Sequence, residues 1–97
     1  MVSRADIEPH HQAIQATHAA LNLAYATGPP DSGHPSLVHL VAENTGSLVR
    51  LHSELEAEGV VVCSFNEPYR DWGLTAIACY LGKTQRQLLS HLPLWTP

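Results

Sequence analysis

Hydrophobic positions recur at helical spacing over most of the chain. Ile7, His11, Ile14, His18, Leu21 and Tyr25 follow one another at alternating intervals of four and three. That spacing lays them on one face of a helix from Pro9 to about Tyr25. Pro9 suits a first helical turn, with Asp6 or Glu8 near its positive end. The segment Thr27-Gly-Pro-Pro-Asp-Ser-Gly-His-Pro35 then stops the helix, because neither its prolines nor its glycines continue one. With Ser36 as N-cap, a second helix is predicted from about Leu37 to Glu58. Leu37, Val41, Asn44, Leu48, Leu51 and Leu55 form its heptad-like seam, widened by Val38, Thr45, Val49 and His52. Asn44, polar inside that seam, either sets register or bonds to a neighbouring side chain or water. Glu54, Glu56 and Glu58 oppose the dipole of the same helix at its end.

Gly59 closes the second helix, and Val60–Phe65 is a short β-branched run that reads as extended. With no second strand in view, it is either a buried connector or an edge that pairs with another copy. Asn66 and Pro68 open a third helical region. From Trp72 to Leu81 only Thr75 is clearly polar, so a helix there is apolar all round and has to be buried on every side. Two other helices are too few to cover it. The pattern therefore predicts self-association, with Trp72, Ala76, Cys79 and Tyr80 at the oligomer interface. Leu74, Ile77, Leu81, Thr84, Leu88 and Leu92 continue as one stripe through Gly82 and end before Pro93. The predicted fold is all-α: an up-down-up three-helix bundle with a short extended connector, one domain over residues 1–97, oligomeric.

A break at Gly82 gives a different third region, in which Thr84 and Gln87 form a capping box that starts a fresh helix. Ile77-Ala78, Leu81-Gly82, Thr84-Gln85 and Leu88 then stand at the spacings of a known motif. On those residues, the stretch 74–92 resembles a helix-turn-helix of the phage-repressor type. The resemblance implies a second helix in the major groove of DNA, presenting Gln85, Arg86 and Gln87 with Lys83 and Thr84 beside them. Glutamine suits adenine and arginine suits guanine. His91 stands where that motif is usually apolar.

Composition narrows the choice of partner. The net charge of -4 argues against coating nucleic acid or a membrane electrostatically. Charge is unevenly spread, since Arg70, Lys83 and Arg86 face only Asp71 from Tyr69 onward, whereas carboxylates dominate before it. Cys63 and Cys79 lack the spacing of a zinc site and read as reduced, because the N-terminus shows no secretory signal. No run is long enough to span a bilayer, so a cytoplasmic protein is expected.

Histidines are abundant. Glu8-x-x-His11 has the spacing of carboxylate-bridged di-iron bundles, but its second motif is missing, and neither a metal nor a cofactor is expected. His39 and Glu43 fall one turn apart on the polar side of the second helix. His11 and His18 fall on the packing face of the first, which makes stability or assembly sensitive between about pH 5 and 7. Tyr69, Trp72 and Tyr80 can stack on a ligand base or pack against another helix. No nucleophile motif or phosphate-cradling loop is present, so no enzymatic activity is expected. The expected function is binding, to another protein as an acidic inhibitor or antitoxin-like module or to a small ligand. The alternative is a DNA-binding regulator that uses residues 74–92.

Overall fold

The structure, a computed structural model, describes residues 1–28 and 36–97. It overturns the all-α bundle. In chain order the elements are β1 (Val2–Arg4), α1 (Pro9–Thr27), β2 (Leu40–Ala42), α2 (Thr45–Ala57), β3 (Val62–Asn66) and β4 (Leu74–Cys79), followed by a short 3-10 turn at Arg86–Leu89. The strands form one four-stranded mixed sheet in the order β2-β1-β4-β3. β1 and β2 run parallel, which requires the crossover that α1 supplies. β4 runs antiparallel to both β1 and β3.

Within the apolar run from Trp72 to Leu81, Leu74–Cys79 is therefore a central strand and not a buried helix. A strand covered on both faces is apolar at every position, and periodicity alone does not separate it from a helix buried all round. Ile77 faces α2, within a core of Leu48, Leu51, Leu55, Val2, Ala42, Val60 and Leu89. Ala76 and Ala78 face the other way, against Ala19 and Leu23 of α1, with Cys63 and Phe65 beside them. The molecule is thus a helix–sheet–helix sandwich with β4 in the middle. This removes the ground for predicting self-association from residues 72–81, since the chain itself buries that apolar surface.

The second predicted helix begins too early in the sequence reading. Leu40–Ala42 is extended, and Asn44 is the N-cap of α2, its side-chain oxygen accepting from the backbone N–H of Ser47 at 3.0 Å. That cap explains the polar residue in an apolar seam. Val62–Asn66 does find a partner, namely β4. The expected helix over 74–92 is replaced by a strand, a connecting turn and the 3-10 turn, so the helix pair of a helix-turn-helix is not formed there. Gly82 lies outside any helix, with its N–H donating to the Gln85 side chain at 3.0 Å. Of the stop signal at 27–35, only Thr27 and Gly28 are described; Gly28, at φ 72°, ends α1. The rest of it, His34 included, lies outside the described residues.

α1 forms where predicted but is rotated. Its buried residues are Gln12, Gln15, Ala16, Ala19 and Leu23. Ile14, Leu21 and Tyr25 are exposed, at 48%, 46% and 84%. Ala19 lets the helix lie close on Ala76 and Ala78, and Leu23 is the one large apolar side chain on that inner face.

After the 3-10 turn the chain returns along β2. Val41 N–H donates to the Pro93 carbonyl at 3.0 Å, and Trp95 N–H donates to the His39 carbonyl at 2.8 Å. The Trp95 ring stacks on His39 at 5.1 Å, and Nε2 of His39 lies 2.7 Å from Oγ of buried Ser3. His39 is thus a structural residue beside the sheet and is not part of a helical pair with Glu43. Burial, with the positive charge of the amino terminus second, lowers its pKa from 6.5 to about 4. The unfolded chain therefore binds more protons between those values, and folding is favoured above that window. We expect the unfolding free energy, measured by urea denaturation, to decline as pH falls from about 6.5 to 4. In His39→Gln that part of the decline should vanish, and an unchanged slope would refute the assignment.

Candidate functional site

Buried polar side chains gather where α1 crosses the start of β4 and the β3–β4 connection. Gln15 is 1% exposed and Thr75 is fully buried. Thr75 reaches Gln15 because the strand pairing is irregular there. Asn66 pairs with Leu74 and Phe65 with Ala76, which leaves Thr75 as the extra residue of a bulge. A bulge re-aims a side chain that strict alternation would send to the opposite face. Thr75 Oγ1 thereby stands 2.7 Å from Gln15 Oε1 and 3.1 Å from the Phe65 carbonyl, with its single proton directed to these acceptors.

The other end of the Gln15 amide donates from Nε2 to Oε2 of Glu67 at 2.7 Å. Oε1 of Glu67 accepts from the backbone N–H of Tyr69 at 3.1 Å. Both carboxylate oxygens are therefore fixed, one from the helix and one from the turn. The Gln15 hydrogen bond first, and the Tyr69 N–H second, hold the Glu67 carboxyl below the ordinary glutamate value. The nearby charges of His18 and Arg70 act in the same direction.

The turn between the strands is fixed from below. Glu67 N–H donates to the Gly73 carbonyl at 3.2 Å, and Gly73 takes φ 66°, a conformation that favours glycine. Arg4, at the end of β1, pairs with Asp6 at 2.9 Å and donates to the carbonyls of Trp72 and Leu74. Gln12, the other buried glutamine of α1, donates to the carbonyl of Ile7 at 2.5 Å and so fastens the β1–α1 link.

Ring pairs stand along the same side of the molecule. His18 stacks on Phe65 with centroids 4.4 Å apart, and His11 meets the edge of Trp72 at 5.2 Å. The Arg70 guanidinium lies over Trp72, 4.8 Å from the ring centre. The two histidines predicted on a packing face thus stand against rings of β3 and of the turn, with Gln15 between them on the helix. The cluster combines an ionised, oriented carboxylate with aromatic faces and two imidazoles. It can recognise a donor-rich or cationic group.

The residues expected at an oligomer interface scatter. Ala76 is buried against α1, Cys79 is half-buried beside the α2 core, Trp72 is half-covered by His11 and Arg70, and Tyr80 is 37% exposed. Lys83, Thr84, Gln85, Arg86 and Gln87 follow β4 at the opposite end of that strand from Thr75. A cavity of about 350 Å³ opens there, lined by Leu40, Cys79, Leu81, Arg86 and Leu89. It also borders Ser36, the first described residue after the stretch left undescribed. Sequence reasoning missed Gln15, Glu67 and Thr75. Glutamine at a helix position next to Ala16 looks solvent-facing until the inner face is known.

Fold and cluster together define a small three-layer α/β domain with a polar, ring-flanked site on its α1 side. Comparison with known proteins finds no family model that matches the chain and no matching curated sequence.

Two measurements check the polar network. Thr75→Val leaves Gln15 Oε1 buried without a donor, and should cost about 1–3 kcal/mol in urea denaturation. In Gln15→Ala the Glu67 carboxyl, followed by NMR, should titrate closer to the ordinary glutamate value. A Glu67 titration that ignores Gln15 would show that the network does not set it.

Proposed function

We propose that the protein acts by binding, and that its ligand presents a planar cation or a ring amine to Glu67 and Trp72. The observation that carries this is Gln15, a nearly inaccessible amide whose Oε1 accepts from Thr75 while its Nε2 donates to a carboxylate at the surface. A carboxylate held by two donors loses little freedom on binding, so its hydrogen bonds to a ligand are pre-organised. The chain's own Arg70 supports the class of ligand. Its guanidinium lies on Trp72 and its charge acts on Glu67, so the platform already accommodates a planar cation. A ligand of this kind displaces Arg70.

Titration of isotope-labelled protein with methylguanidine or arginine amide tests this. We expect shifts centred on the Gln15 side-chain amide and the Trp72 indole, lost in Glu67→Gln. Arg70→Ala removes the internal competitor and should tighten binding by about two- to fivefold, the scale of an exposed cation–π contact. Shifts centred elsewhere, or weaker binding in Arg70→Ala, would exclude the proposal.

A second reading, general acid–base chemistry, is favoured by one observation: the His18 charge acts on the fixed Glu67 carboxylate. An imidazole beside an oriented carboxylate is a common proton-transfer pair. It requires hydrolysis of a panel of model esters or amides that is abolished in both His18→Ala and Glu67→Gln.

A further inference from the structure

At the first turn of α1, three donors of the nitrogen and oxygen type converge. One ligand atom each from Glu8, His10 and His11 lies within 4.8 Å of the other two. A Glu8 carboxylate oxygen is 3.5 Å from Nδ1 of His10. The two imidazoles stand with centroids 4.1 Å apart and planes tilted by 39°.

We propose that Glu8, His10 and His11 form a binding site for a divalent transition metal of the zinc type. Two imidazoles and one carboxylate are a donor set that zinc accepts while keeping a further position open to water or substrate. The three residues belong to one short stretch whose backbone Pro9 holds at the helix start, so little chain entropy is lost on closing the site. Glu8 and His10 are exposed, which leaves room for the remaining coordination positions, while His11 is half-buried against Trp72. Arg4, the nearest arginine in sequence, is engaged by Asp6 and by the carbonyls of Trp72 and Leu74, and does not compete for Glu8.

One effect opposes the site. The positive end of the α1 dipole disfavours a cation, by a factor of about two to five in affinity at an exposed position. Loss of even an outer-shell partner of a metal costs about tenfold or more, so coordination by three donors outweighs the dipole.

The site shares His11 with the ring cluster but makes no use of Glu67, and calorimetric titration of the full, untagged chain with zinc chloride separates the two. We expect saturable one-to-one binding, weakened at least about tenfold in Glu8→Gln and in His10→Ala and unchanged in His91→Ala. Both substituted side chains are exposed, and a thermal melt of each variant confirms its fold. Nickel should quench the Trp72 fluorescence, and in Trp72→Phe this quenching should disappear while the zinc heat remains. Glu67→Gln should bind zinc like the wild type; loss there would move the metal to the other cluster and overturn the assignment. So would the absence of saturation by roughly 1 mM zinc, or wild-type affinity in Glu8→Gln and His10→Ala.

Discussion

β4 is pressed by a helix on each face and by a strand on each side, and the sizes of its side chains decide where both helices lie. Ile77, wholly buried, fills the α2 side together with Leu48, Leu51 and Leu55. Burial of one such side chain contributes about 1.5–3 kcal/mol. On the other face β4 offers only Ala76 and Ala78, and α1 answers with Ala19 and Leu23. Small residues on both partners bring helix and sheet close together. That closeness leaves room for Leu23 alone among the large apolar residues of α1, so Ile14, Leu21 and Tyr25 stand outside. It also carries Gln12 and Gln15 inwards, where each amide has to find partners.

The bulge at Thr75 provides the partner for Gln15. A regular strand would point Thr75 at the α2 core, where its hydroxyl would face Leu48 and Leu55. The extra residue turns it to the α1 side and leaves Leu74 facing the leucines instead. The same local feature thus satisfies a buried amide, removes a hydroxyl from an apolar core and ends the regular pairing of β3 with β4. Beyond it the chain is free to form the turn that carries Glu67, Arg70 and Trp72. Arg4 then ties that turn to β1, so a site made of loop residues rests on the sheet.

Much of the helical content was legible in the sequence, while the sheet was not. Pro9 and Gly28 bound α1, and Leu48, Leu51 and Leu55 mark the inner face of α2 as predicted. The strands escaped for a physical reason. β1 and β2 span three residues each, too few for alternation to show. β4 is covered on both faces, so its residues do not alternate at all. The three- and four-residue spacing of Leu74, Ile77 and Leu81 through that run imitates a helix stripe, although these residues belong to a strand and the turn after it. The candidate site was half visible. His11, His18 and Trp72 drew notice through their chemistry, but their role as ring contacts depends on β3 and on the turn. Gln15, Glu67 and Thr75 are far apart in sequence, and only the bulge and the rotated helix bring them together.

A buried polar network is a costly way to hold a helix on a sheet. Each hydrogen bond between neutral groups contributes about 0.5–1.5 kcal/mol net, and an orphaned partner costs about 1–3 kcal/mol. A leucine at position 15 against a valine at 75 would hold the same two elements without that risk. What an apolar pair could not do is pass a hydrogen bond outward to Glu67. The network runs from the Phe65 carbonyl through Thr75 and Gln15 to a carboxylate at the surface, and the Tyr69 N–H holds the second oxygen of that carboxylate. Its outer end lies near the charges of Arg70 and His18, not in the core. Stability alone would favour ending the chain of hydrogen bonds inside. Its continuation to an oriented charge is the feature that separates this corner of the molecule from ordinary packing.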